Sequence, residues 1–255
     1  MSSPWLCDSL RVSAIWRSPI PVESPLSWEA VAGAAPEIHE SQPRQGTTKD
    51  AGPIGDGART LELRTGPGRI DWLLLPIFNL PMLADLSRSI PNLGEVGDAL
   101  RAFDAFLFEQ AAAAYAAPRL ALGVTALHPA PDRDSSYSEL RSILSTISPN
   151  LDGSSDFLYQ INRPRESSAA PGVTINRLAR WGSVVMAGIT VQSFVPQASG
   201  SVTQVQTPTA HATRIELDLS TSAERESELP LESRVPLLRE MATLAMQVIE
   251  QGDRA

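Results

Sequence analysis

Two tripeptides, Ile161-Asn162-Arg163 and Ile175-Asn176-Arg177, carry the residues of this chain best suited to holding an anion. Arg165 and Arg180 extend the set. A guanidinium offers paired N–H donors that match a carboxylate or phosphate, and asparagine amides add neutral donors. The stretch around them reads as strand, turn and strand. Phe157, Tyr159 and Ile161 alternate with Leu158, Gln160 and Asn162; Pro171-Gly172 closes the connection; Val173, Ile175, Ala179 and Trp181 keep the apolar parity. A turn centred on residue 169 sets Phe157 opposite Trp181, Tyr159 opposite Ala179 and Asn162 opposite Asn176 on the polar face. Arg180 then lies two rungs along, and Arg163 and Arg165 crowd the turn. Arg177 falls with the apolar residues, which predicts either a buried charge with a partner or a different register. The plainer reading, and the preferred one, is a solvated face of an antiparallel sheet.

Other candidates are weaker in chemistry. His128 ends a predicted strand close to Asp132 and Asp134, where an acid–base pair or a metal is conceivable. No two of the three histidines have HxH or HxxxH spacing. Glu216 and Asp218 share a face as a catalytic pair would, but adjacent like charges on a wet edge more often blunt edge-to-edge association, and that reading is taken. Nucleophile motifs fail: there is no GxSxG, and Ser183 after Trp181-Gly182 lacks the following glycine. Phosphate-loop and dinucleotide glycine patterns are missing too. Cys7 reads as a small buried hydrophobe or an idle thiol. The expectation is no catalytic residue, no metal and no cofactor.

Bulk properties narrow the classes. In 255 residues, 42% are hydrophobic and 20% charged, ordinary values for a folded chain. A formal charge of −8 argues against general binding to nucleic acid or anionic membranes, which requires cationic surface. One cysteine excludes an intrachain disulfide and a cysteine metal cluster. The longest uncharged run, Trp181 to Thr213, is broken by Pro196 and Gly200, so no transmembrane helix and a cytoplasmic location are expected.

The elements that must position these residues follow in order. Leu10–Trp16 is a strand, after which Pro19, Pro21 and Pro25 forbid regular pairing. Ser27 caps a short helix carrying Trp28 and Val31. Residues 40–57 read as a long surface loop. Arg59–Arg64 and Arg69–Leu75 flank Thr65-Gly66-Pro67-Gly68 as a hairpin with Leu61, Leu63, Ile70, Trp72 and Leu74 inward. Leu73 and Leu75 make its second strand apolar on both faces, so it should be central or helix-covered. Asn92 with Glu95 resembles a capping box for a long helix carrying Val96, Leu100, Phe103, Leu107, Ala111 and Ala114. Leu120–Leu127 is a strand broken by Pro129-Ala130-Pro131, and Ser136 with Glu139 caps a shorter helix burying Tyr137, Leu140, Ile143, Leu144 and Ile147. Residues 149–155 form a linker. Beyond the hairpin comes an uncharged run from Pro196, then a strand with Ile215, Leu217 and Leu219 inward. A helix over Val235–Gln251 ends at Gly252.

The fold class is α+β: antiparallel sheet covered by two long helices, each half a meander followed by a helix, as in a structural duplication. The halves are 1–150 and 151–255, or one continuous domain. The layout resembles a sporadically distributed family of bacterial proteins of unknown function. The residues carrying the likeness are the helix and strand of Phe103–Leu127, Tyr137–Leu144, Ile215-Glu216-Leu217-Asp218-Leu219 and the terminal helix Leu237–Glu250. That resemblance brings no catalytic residue with it. The functional expectation is a non-catalytic interaction protein, self-associating or a subunit of a larger assembly, acting through the central sheet and terminal helix. The second expectation is an anionic-ligand module built on Asn162, Arg163, Arg165, Asn176, Arg177 and Arg180.

Overall fold

The computed structural model describes residues 4–17, 26–77, 90–187 and 209–255. Its centre is the antiparallel pair of β1 (Leu6–Ile15) and β6 (Arg119–Ala130), joined through Val12 opposite Leu122 and Leu10 opposite Val124. On the β1 side follow β5 (Arg69–Pro76), β4 (Arg59–Gly66), β3 (Thr47–Ile54) and β2 (Ile38–Gln42). On the β6 side follow β10 (Thr209–Thr221), β9 (Thr174–Ala187) and β7 (Leu158–Asn162), with the short β8 (Arg165–Glu166) also on β9. All neighbours are antiparallel, giving one ten-stranded sheet that continues across residue 150.

One face is apolar along whole rungs. Leu61, Leu74, Leu10, Val124, Leu217, Ala179 and Ile161 follow one another across seven strands. Among the described residues the helices lie on this side. Phe103, Leu107 and Phe108, then Tyr137 and Leu140, then Leu237, Leu238, Met241 and Val248, share one buried cluster with Leu10, Trp72, Leu122, Val124, Leu217 and Trp181. Burying such a face supplies most of the driving force, at roughly 25 cal/mol per Å² of apolar area.

Several expectations hold. Ser27 caps α1 (Trp28–Ala32) by accepting from the Ala30 N–H, and Trp28 and Val31 are buried. The β4–β5 hairpin buries all five of its inward residues, and β5 is an inner strand, between β4 and β1. Other boundaries differ. The segment 40–57 is a pair of strands, not a loop, because β4 offers β3 a complete ladder that its polar composition gives no hint of. Pro53 is tolerated because β2 ends opposite Ala51, leaving that stretch of β3 a partner on one side only. The first long helix begins at Val96, with Glu95 rather than Asn92 as its cap residue; the Asn92 side chain instead accepts from the Gly94 N–H.

This first helix is interrupted. α2 (Val96–Phe103) passes through a π-helical turn (Asp104–Phe108) into α3 (Glu109–Ala114). The wider turn lets the consecutive residues Leu107 and Phe108 both reach the core, with Phe108 edge-on to Phe103 at 5.9 Å. β6 runs through Pro129 to Ala130 rather than stopping there. α4 (Arg133–Ile143) is capped by Asp132, whose carboxylate accepts from the Ser135 N–H. Ser136 lies inside α4, buried, with its hydroxyl 3.0 Å from that of Thr213. Ile143 is only half-buried and Ile147 is exposed, because the helix ends at Ile143 and the following residues leave its apolar stripe. α5 (Leu231–Gln251) starts earlier than expected and continues through Pro236. The proline stretch 19–25 and the uncharged run from 196 to 208 lie outside the described residues.

α5 also fixes the turn between β8 and β9. The Glu240 carboxylate accepts from Ser167 Oγ (2.5 Å), the Ser168 N–H and hydroxyl (2.9 and 2.8 Å) and the Ala169 N–H (3.1 Å). Burial alone would raise its pKa, but these donors outweigh it and hold the value below the ordinary 4.5. A depressed carboxylate contributes stability that is complete above the unfolded value and is lost as pH falls through the folded one. Glu240→Gln is therefore expected to cost about 2 kcal/mol at neutral pH. Urea titrations at several pH values should show that deficit holding down to about pH 4.5 and shrinking below it. A deficit unchanged at about pH 3 would contradict the assignment.

Candidate functional site

The hairpin of β7 and β9 forms with its apolar side inward, as the alternation predicts, but slipped by two residues. Tyr159, not Phe157, stands opposite Trp181, and Ile161 opposite Ala179; the Tyr159 and Trp181 rings stack at 5.5 Å. A two-residue slip preserves which side each residue faces. Asn162 therefore stands opposite Leu178 and one rung from Asn176, to which its amide donates at 3.3 Å. The Asn162 side-chain oxygen accepts from the Arg177 N–H at 2.9 Å.

The structure divides the six sequence-derived candidates between two sides of the sheet. Asn162, Asn176 and Arg180 lie on the polar face, where Arg180 donates to Gln160 Oε1 at 2.5 Å and stands 3.6 Å from Glu216. Arg163, Arg165 and Arg177 lie on the helix side. Arg163 donates to the backbone oxygens of Asp253 (2.5 Å) and Ala255 (2.9 Å), clamping the turn after α5. Arg177 donates from Nε to the Arg163 carbonyl at 2.8 Å. Its guanidinium pKa is lowered, first by burial and then by the charges of Arg165 and Arg163. Arg165, opposite Ile175, is exposed at the rim of this trio.

The face away from the helices carries an ion-pair lattice centred on β1. Arg11 lies across Gly123, whose missing Cβ leaves the room: a carbon there would stand 3.3 Å from the arginine side chain. From this position Arg11 reaches Asp218 at 3.0 Å and lies 3.9 Å from Asp71. Asp71 also takes both Arg69 Nε contacts (2.9 and 2.8 Å) and the Ser13 hydroxyl at 2.5 Å. Towards β9, Arg214 pairs with Glu216 at 3.0 Å. Towards β2, Lys49 stands between Glu62 and Glu40, and Arg64 closes on Glu62. Asp8, at a bulge in β1, has a raised pKa: burial is the main cause, Arg214 opposes it and Glu216 adds to it.

Glu216 and Asp218 thus occupy an inner strand, between β6 and β9, not the wet edge expected for them. Both are ion-paired. The lattice residues of β1 and β5 were legible as outward-pointing polar residues. Their convergence was not, since Arg11 and Asp218 are 207 positions apart.

The structure places the other candidates as follows. His128 packs against Trp5, ring centroids 5.3 Å apart, and Asp132 is engaged in capping α4, which lowers its pKa. Cys7 is fully buried, and burial together with the Asp8 charge raises its thiol pKa far above neutrality. Among the described residues no group of three His, Cys, Asp or Glu side chains is placed to hold a metal, and no helix is long and apolar enough to cross a membrane.

No protein-family model matches this chain, and neither a curated protein nor a solved structure is significantly similar to it.

Proposed function

We propose that this chain is a non-catalytic interaction protein whose contact surface is the charged face of the sheet. The carrying observation is a broad antiparallel sheet with all described helices on one side and a half-open ion-pair lattice on the other. Side-chain exposures of 44% at Arg180, 38% at Arg214 and 46% at Asp218 leave those charges reachable. Cations and anions alternate across this face, so no uncompensated basic stripe is offered to a polyanion. A surface of mixed sign suits another protein, because each partner charge finds an opposite one at fixed spacing and wrong registers meet like charges. The apolar stripe of α5 is committed to the core, so the terminal helix offers a partner its polar side alone.

The chain path supports a duplicated plan. β1 and β6 each lead into a helix (α1 and α4) and then outer strands, return beside their starting strand as β5 and β10, and close with a helix. The seam of such a duplication falls before Arg119 rather than at residue 150, and it sets the two halves of the charged face side by side.

A photo-crosslinking residue at Thr125, between Ser9 and Glu216 on this face, tests the reading. The expected result is one defined adduct, with a second copy or another protein, and at least roughly tenfold weaker association in the Arg180→Glu/Arg214→Glu variant. A strictly monomeric protein by light scattering, with no adduct from its native lysate, would overturn it.

A second reading rests on the crowding of Arg163, Arg165 and Arg177 with no carboxylate side chain paired to them among the described residues. This rim would take a small anion, with Arg165 supplying the open donor. Thermal shift across phosphate, sulfate and citrate, compared between the wild type and Arg165→Ala, decides it. A shift that Arg165→Ala abolishes supports the site, and no shift with any anion ends it.

A further inference from the structure

A separate cleft of about 230 Å³ opens at the other end of the molecule. Its floor and walls are Leu74 of β5, Ile54 at the end of β3, Ala32 of α1, and Ala102, Phe103 and Phe106 of the interrupted helix. The π turn sets Phe106 here while Leu107 and Phe108 enter the core. Such turns often mark functional positions, because a wider turn is retained at some cost in helix geometry.

Two charged groups sit on the rim, Arg59 and Asp56. Asp56 is partly engaged, accepting from the Ala58 N–H at 3.1 Å in its own turn. Arg59 is half-buried, and its side chain has no ion pair or hydrogen bond among the described residues. A half-buried guanidinium over an apolar floor can exchange its water acceptors for a carboxylate, which matches its paired donors. Because Asp56 stands on the same rim, a second negative charge on the ligand would be penalised, which disfavours a phosphate dianion.

We infer that this cleft binds a small monocarboxylate with an apolar body, an acyl or aryl acid whose carboxylate pairs with Arg59 while its hydrocarbon part lies against the accessible side chains of Ala32, Ile54 and Phe106. A dry cavity of about 150 Å³ accommodates benzene, so this one suits a body of roughly six to ten carbons. The site lies on the helix side of the sheet and shares no residue with the ion-pair lattice, so its fate is independent of that surface.

Calorimetric titration of the full chain with octanoate, 3-phenylpropanoate, octanol and octylamine tests the assignment. Both acids should bind saturably, octanol should bind at least about tenfold more weakly, and octylamine should not bind. Arg59→Ala should weaken octanoate by roughly tenfold or more. Ala102→Trp, at an exposed helix position, should fill the cleft and abolish binding while circular dichroism stays unchanged. Octanoate showing no saturable heat up to about 10 mM would overturn the proposal. So would octanol binding as tightly as octanoate, or a folded Ala102→Trp protein that still binds it.

Discussion

Gly252→Ala is expected to destabilise this protein by about 3 kcal/mol, more than any other single-methyl addition to its described glycines. Gly252 follows α5 with φ at +64°, where a side chain already costs about 1–2 kcal/mol. A Cβ there would also overlap the Ile143 carbonyl oxygen at the end of α4, and a backbone carbonyl cannot swing aside as a flexible side chain can. Detachment of the turn Gly252–Arg254 is the available relief, and it limits the loss. Its cost is the contacts that the turn makes. Asp253 is buried and accepts from the Thr146 N–H at 3.0 Å and from the Thr146 hydroxyl, while Arg163 donates to two backbone oxygens of the same segment. The measurement is a urea midpoint together with amide exchange at Thr146, whose protection should vanish. A midpoint change worth less than about 0.5 kcal/mol, with Thr146 still protected, would mean that the turn is held otherwise.

Arg234→Met should cost nearly as much, for a different reason. Arg234 is 6% exposed, at the first turn of α5, and among the described residues no carboxylate is paired with it. Its guanidinium instead donates to two backbone oxygens, Leu229 at 2.9 Å and Ala112 at 3.0 Å, the second belonging to α3. Helix C-termini leave carbonyls without intrahelical donors, and a cation beside them also meets the negative end of the helix dipole. Methionine matches the stem in length and apolar contact but leaves both carbonyls bare, at about 1–3 kcal/mol each. The expected total is about 3 kcal/mol by denaturant unfolding, with an unchanged slope. Arg234→Lys, which has one donor head in place of a planar fork, should recover about half. A methionine variant as stable as the wild type would show that water reaches these carbonyls.

Both predictions concern joints between helices, and such joints were the least visible features of the sequence. Period-two alternation was enough for the β4–β5 hairpin, for β10 and for the inward side of β7 and β9, because a strand with one buried face writes its orientation into every second residue. It failed for residues 40–57, where Thr47 to Ile54 has almost no apolar pattern and pairs because a neighbouring ladder is already present. Capping also misled. Asn92 and Ser136 are good cap residues by type, yet Glu95 and Asp132 hold those positions, since the helix start is set by where the preceding chain leaves the sheet.

Residue chemistry by itself excluded nucleotide loops, nucleophile elbows and a cysteine metal cluster, and it marked Asn162, Asn176 and Arg180 as one polar side of a strand pair. Local spacing is sufficient for that, because each of those statements concerns residues a few positions apart. Tertiary structure decided everything that requires distant segments to meet. It divided the arginines between the two sheet faces, brought Arg11 between Asp71 and Asp218 over Gly123, and set Arg59 above a cleft walled by four separate segments. Strand order is the physical reason: a chain records which side of a ribbon is buried, but the neighbour that buries it is chosen by the closure of the whole sheet.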